Sequence, residues 1–199
     1  MDSDIYIQKR FDEFLEKHCV FFQEYHPNLI VAGYIDDFGN RLQSKEHVQG
    51  IGIQAALFMS EPGNEFVRAL LEDYKGRHFI LEDGSCYISL IAPSLYALKA
   101  EQYGYKYLDV EQHLKDGLVV YPSSYVGSTI ALRTDKTFAV HCISHSWDDE
   151  FQKSKQKKEP LMIRLKVYLY YLYCRLTGKP YHKEPKTFKE KLEAYPILS

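Results

Sequence analysis

The sequence has a single tryptophan, three methionines and four cysteines among its 199 residues, and no two cysteines form a C-x-x-C pair. Cys19, Cys86, Cys142 and Cys174 are too scattered for a zinc ribbon or a secreted disulfide framework, so a reduced, cytoplasmic setting is expected. An excess of charge of one sign is also lacking. A formal net charge of -2 provides no field to hold a polyanion, and nucleic acid is not an expected partner. No apolar run reaches the roughly 18 residues needed to span a bilayer. The nearest, residues 161–176, is interrupted by Arg164, Lys166 and Arg175. The opening Met1-Asp2-Ser3-Asp4 has neither the basic nor the apolar region of a signal peptide. There is no internal repeat and no low-complexity tract.

What is present is an ordinary globular balance, 45% hydrophobic and 26% charged, enough for one sizeable core. Residues 19–23 and 29–34 are short apolar runs around Glu24-Tyr25-His26-Pro27-Asn28, the pattern of two buried strands and a turn, and residues 11–17 form a short helix before them. Residues 49–59 carry Gly50, Gly52, Ala55 and Ala56, small residues suited to packing against another backbone. Pro62-Gly63-Asn64 opens a helix with Phe66, Val67, Leu70, Leu71 and Tyr74 at helical spacing and Gly76 past its end. Residues 93–103 repeat that arrangement, with Gly104 as a left-handed terminator. Residues 118–121 and 137–142 read as strands. Strand and helix signals alternate, so the expected class is α/β.

From Asp148 the character changes. Lys153, Lys155, Lys157 and Lys158 precede a segment in which Leu161, Leu165, Tyr168, Leu169 and Leu172 share one helical side. Such a basic amphipathic helix suits peripheral contact with an anionic membrane, or equally packing on the domain before it. The expected division is therefore residues 1–147 as the catalytic region and 148–199 as a basic, aromatic-rich helical appendage.

Two constellations could carry chemistry. Asp2-Ser3-Asp4 runs into Ile5-Tyr6-Ile7, so in an extended segment both carboxylates would point to one side and suit Mn²⁺ or Mg²⁺. The plain alternative is a solvated acidic terminus. The second is residues 139–147, an apolar strand that ends in His141 and leads to Ser146 and Trp147. An imidazole, a hydroxyl and an indole N–H there could each serve a phosphate or a metal, or the histidines could be simple hydrogen-bonded residues beside a core tryptophan. A zinc hydrolase built on His141, His145, Asp148 and Asp149 is a third reading, although the spacing follows no zinc motif. Asp36, Asp37, Glu82 and Asp83 lie in loops, and Asp36 or Asp37 is the candidate to approach a donor sugar.

Taken in order, these segments resemble the bacterial glycosyltransferases of family 32, whose sugar-binding region contains a D-x-D motif. Met1-Asp2-Ser3-Asp4-Ile5 is similar to the second half of the family's G-G-I-Y-x-D-x-D-hydrophobic pattern. Ser60-Glu61-Pro62-Gly63-Asn64 with its helix, Ile91-Ala92-Pro93-Ser94 with the helix to Gly104, and His141 with Ser146-Trp147 resemble its later segments. The resemblance implies the C-terminal part of a GT-A-like fold and a retaining transfer from a nucleotide-diphosphate sugar to a surface or capsular carbohydrate, or a lipid-linked acceptor. It implies Asp2, Asp4 and His141 as ligands of Mn²⁺ or Mg²⁺, and Ser146 and Trp147 as groups closing over the diphosphate, with Asp4, Ser146 and Trp147 central to catalysis. The family's Gly-Gly-Ile-Tyr half and the nucleotide-binding βαβ half before it are not in the chain. Base recognition is then expected to be incomplete and the chain alone to be an unstable, inactive fragment. A non-catalytic remnant of such an enzyme is the rival expectation, with a metal-dependent hydrolase behind it.

Overall fold

A strand without polar alternation needs cover on both faces, and the run Cys19-Val20-Phe21-Phe22-Gln23 has it: all five residues are completely buried. They begin β2 (Cys19–Tyr25), the middle of the architecture. The structure, a computed structural model, describes residues 1–142 except 43–45, 86, 88–89, 129 and 131–132, together with Leu169. The chain divides into two units, Met1–Cys142 with Ile197–Ser199, and Ile143–Pro196. The account below concerns the first.

This unit is mixed α/β. Around β2 lies a five-stranded sheet in which β6 (Leu118–Tyr121) runs parallel to it, from Cys19 opposite Leu118 to Phe22 opposite Tyr121. On the other edge β2 pairs antiparallel with β3 (Ile51–Ile53) and, nearer its start, with β4 (Met59–Ser60). The short β5 (Gln112–His113) pairs antiparallel with β6. A second, three-stranded sheet has the order β1 (Ile5–Ile7), β8 (Ala139–His141), β7 (Val126–Gly127).

Side chains alternate across a strand, and the parity of β2 separates two cores. Cys19 and Phe21 meet Ile53, Phe66, Leu70, Ala97 and Leu118 on the helical side. Val20 and Phe22 meet Phe14, Val119, Tyr121, Val126 and Phe138 on the side of the small sheet. The second core is largely aromatic, with Phe14 edge-on to Phe22, Tyr121 and Phe138 at centroid distances of 5.7, 5.0 and 4.9 Å.

Two helices form the outer layer. In α1 (Glu65–Lys75), Asn64 Oδ1 accepts from the backbone N–H groups of Phe66 and Val67 at 3.0 and 3.3 Å, so the expected start is a side-chain cap. Phe66 and Leu70 enter the core, whereas Leu71 and Tyr74 stay exposed. The second, α2 (Ala92–Ala100), continues as a 3-10 turn to Tyr103 and stops at Gly104, which is left-handed as expected (φ 98°). It lies close on β3: a Cβ at Gly52 would come within 2.8 Å of the Pro93 carbonyl oxygen. The small-residue segment thus meets another backbone.

Two expected elements are different in the structure. Residues 29–34 are not a strand: Pro27–Leu29 is a 3-10 turn, and Leu29 and Val31 are exposed. Both edges of β2 are already paired, by β6 and by β3 with β4, so this second run has no place beside it. The helix over 11–17 reduces to one 3-10 turn, Asp12–Phe14, since Phe11 offers no side-chain cap and Phe14 is drawn into the aromatic core. The amphipathic segment 161–176 lies outside the described residues except for Leu169, which is exposed. Among the described residues no helix is long and apolar enough to cross a membrane.

The contact at Gly52 sets a test. Gly52→Ala should lower stability by about 1–3 kcal/mol through overpacking against Pro93. A chemical denaturation midpoint unchanged from the parent would refute that contact.

Candidate metal centre

The antiparallel pairing of β1 with β8 places Ile5 opposite His141, so the residue before β1 and the last residue of β8 meet at one end of the small sheet. The Cys142 N–H donates to the Asp4 carbonyl at 2.9 Å and locks that end. Asp2 is held separately, its N–H donating to the Ala56 carbonyl at 2.7 Å in the segment between β3 and β4. The three side chains converge: one ligand atom each from Asp2, Asp4 and His141 lies within 4.8 Å of the others. His141 Nε2 is 3.4 Å from Asp4 Oδ1, each side chain about one-fifth exposed (20% and 21%). Asp2 is the exposed member.

The route to this convergence differs from the expected one. Asp2 and Asp4 are not on an extended strand, because residues 3 and 4 form a turn and β1 begins only at Ile5. The turn, rather than strand alternation, carries both carboxylates to the imidazole.

Two carboxylates and one imidazole are a hard, oxygen-rich set with a single nitrogen. Such a set suits Mn²⁺, and Mg²⁺ less well because of the nitrogen, with water or phosphate oxygens completing the shell. Ligand atoms on one octahedral ion of ~2.1 Å reach lie ~3.0 Å apart when adjacent and ~4.2 Å when opposite. Separations of up to 4.8 Å therefore close with small side-chain rotations, for which the exposed Asp2 has room. The residues fit the ion.

Two further groups that the sequence did not single out feel the charge of this cluster. Glu24, the sixth residue of β2, is held above the ordinary carboxylate range by burial, while His26 and then His141 draw it back. The Tyr96 hydroxyl is pushed up to about 12, chiefly by burial and then by Tyr74, with the charge of Asp2 adding to the shift. The signal for Glu24 was available, since it is a carboxylate that follows the buried run of residues 19–23 without a break; it had been read as part of the turn. Gln54, on the segment that holds Asp2, is buried with both amide atoms unpartnered among the described residues.

The loop acids behave as turn builders. Asp36 Oδ1 accepts from Phe38 N and Asn40 N at 2.9 and 2.8 Å, its Oδ2 accepts from Asn40 Nδ2 at 2.9 Å, and these bonds hold its carboxyl below the usual range. Asp37 is exposed beside it. Asp83 Oδ1 similarly accepts from Ser85 N and Oγ. Asp36 thus holds its turn together. Ser146 and Trp147, with His145, Asp148 and Asp149, lie outside the described residues. Compared with known protein families, with curated proteins and with solved structures, the chain matches none.

Glu24 makes stability depend on pH. A carboxyl raised in the folded state favours folding below its unfolded value of about 4.3, and that advantage is lost as pH rises through the higher folded value. Glu24→Gln removes the ionisation, so it should melt at a higher temperature than the parent near neutral pH and show no gain below about pH 4. An equal difference at both pH values would show that burial of the charge is not its cause.

Proposed function

We propose that this chain is the metal-binding part of a retaining glycosyltransferase of GT-A-like fold that takes a nucleotide-diphosphate sugar as donor. The observation that carries the reading is the convergence of Asp2, Asp4 and His141, residues from opposite ends of the described chain, on one ion-sized space. A divalent cation bound there supplies charge neutralisation to a diphosphate leaving group. Asp2 and Asp4 bind and orient it, and the main-chain bonds from Asp2 to Ala56 and from Cys142 to Asp4 keep their backbones in place. His141 adds a neutral nitrogen, so the site retains more positive charge for phosphate oxygens than a third carboxylate would leave. Ser146 and Trp147 are proposed as hydroxyl and indole donors to the same diphosphate. The acceptor is proposed to be a carbohydrate or lipid-linked sugar of a surface polysaccharide.

The same ligand set would also serve a metal-dependent hydrolase, in which water replaces the sugar acceptor. Dependence on the nucleotide separates the two readings.

Mn²⁺ titrated against the purified chain and followed by loss of the free-ion electron paramagnetic resonance signal tests the site directly. Losing an outer-sphere partner costs 10–100-fold in metal affinity, so removing a ligand by Asp4→Asn should weaken binding by at least about 100-fold. Unchanged binding would remove Asp4 from the site. Where Mn²⁺-dependent turnover of a nucleotide sugar is measured, Trp147→Phe should reduce turnover strongly and leave the melting temperature in place. The reverse pattern would make Trp147 a core residue.

A further inference from the structure

A cavity of about 210 Å³ shares no residue with the Asp2, Asp4 and His141 cluster, but one of its walls is Glu24, whose carboxyl feels the charge of His141. Its polar groups are Glu24, His26, His47, Gln49 and Ser94, and its apolar ones include Leu29, Ile91 and Pro93. Glu24 and His26 are about one-quarter and one-third exposed, with His26 Nε2 3.6 Å from Glu24 Oε1. Two wall positions accept only glycine. A Cβ at Gly50 would lie 2.7 Å from the Ile30 nitrogen, and Gly50 also has φ +81°. At Gly52 a Cβ would meet the Pro93 carbonyl. The part of the wall formed by these two glycines is therefore set by backbone packing.

The chemistry of the walls narrows the occupant. A volume of 210 Å³ is below the ~300–1,000 Å³ of pockets for drug-sized ligands, so the cavity itself suits a small ligand portion of about one ring. A carboxylate in the wall disfavours phosphate. Among the described residues the group of three with metal-ligand spacing is Asp2, Asp4 and His141, and the cavity residues form no such group. What remains is a small neutral ligand with several hydroxyls and an apolar face. Glu24 can accept from hydroxyls, Gln49 and the imidazoles can both donate and accept, and Leu29 and Ile91, more than half exposed at 59% and 56%, offer C–H surface with no partner of their own.

We propose that this cavity is a pyranose-binding site in which Glu24 and Gln49 hold the hydroxyls of one sugar ring. The link to the cluster is Glu24, on whose carboxyl the charge of His141 acts. The assignment rests on the glycosyltransferase reading for its place in a reaction, and it makes Glu24 the residue that selects the ring. That ring belongs either to a free acceptor sugar or to the sugar of the donor, and the two differ in their need for the cation.

Saturation-transfer NMR on the full chain decides. One arm uses a panel of methyl pyranosides in the presence of EDTA, and the other uses UDP- and GDP-sugars with Mn²⁺. Ring-proton signals from a methyl pyranoside identify an acceptor site; ring signals from a nucleotide sugar alone identify the donor's sugar. In either case Glu24→Gln should weaken the ring contact by roughly tenfold, the loss of a charge-assisted hydrogen bond. Gln49→Ala, at an exposed position that folding does not need, should weaken it as well. Absence of ring signals in both arms, or ring signals unchanged in both folded variants, overturns the proposal. A chain that binds pyranosides through Glu24 but fails the Mn²⁺ titration overturns the glycosyltransferase reading and leaves the sugar site standing.

Discussion

Strand β2 has no solvent face, and the remaining elements of the described unit are arranged by that constraint. Its odd-numbered start, Cys19 and Phe21, requires the helices, and its even residues, Val20 and Phe22, require the aromatic core and the small sheet. Covering both faces brings β8 and β1 over one side, and with them His141 and Asp4. The same strand ends in Glu24 and Tyr25, where the cover thins and the first carboxylate appears. The candidate site therefore lies where the buried strand runs out. Burial also makes Cys19 inert, since its thiol is pushed up to about 12 and stays protonated at neutral pH.

Away from the site, polar side chains are satisfied in ways that fix the loops. Arg41 forms a two-bond contact with Glu101, at 2.7 and 2.9 Å, and the Tyr107 hydroxyl donates to the same carboxylate at 2.7 Å. That network ties the 35–41 hairpin to the end of α2. The Tyr105 hydroxyl donates to Gln23 at 2.6 Å and supplies the only polar group inside β2's first five residues with a partner. At the candidate metal cluster His141 Nε2 lies 3.4 Å from Asp4 Oδ1. Asp2 and Asp4 are like charges brought near one another with one imidazole between them, an arrangement that a bound cation relieves.

The proposed sugar cavity and the candidate metal cluster are connected through the segment around β3. Glu24 lies opposite Gly52 on β3, and Gly52 is pressed against the start of α2. Ala56, three residues past the end of β3, holds Asp2. The segment rich in small residues therefore serves both sites. Gly52 admits the start of α2, Gly50 admits the turn at residues 26–30, and the Ala56 carbonyl holds Asp2.

Local pattern alone determined much of this protein. The Asn64 cap, the Pro93 start, the left-handed Gly104 and the burial of residues 19–23 follow from rules of the chain within a few residues, and so they were legible in the sequence. The pair Asp2 and Asp4 and the imidazole of His141 were legible as residue types. Their meeting was expected only through resemblance, because nothing local relates residues that far apart. Tertiary structure decided the rest. Pairing of β1 with β8 put His141 at Asp4, and a turn, not an extended segment, aimed the carboxylates. Occupied edges on β2 turned the apolar run 29–34 out to solvent, where Leu29 became a cavity wall. Glu24, which pattern assigned to a turn, became part of a strand. Strand pairing and burial are settled between segments far apart in sequence, and the electrostatics of a site depend on that settlement.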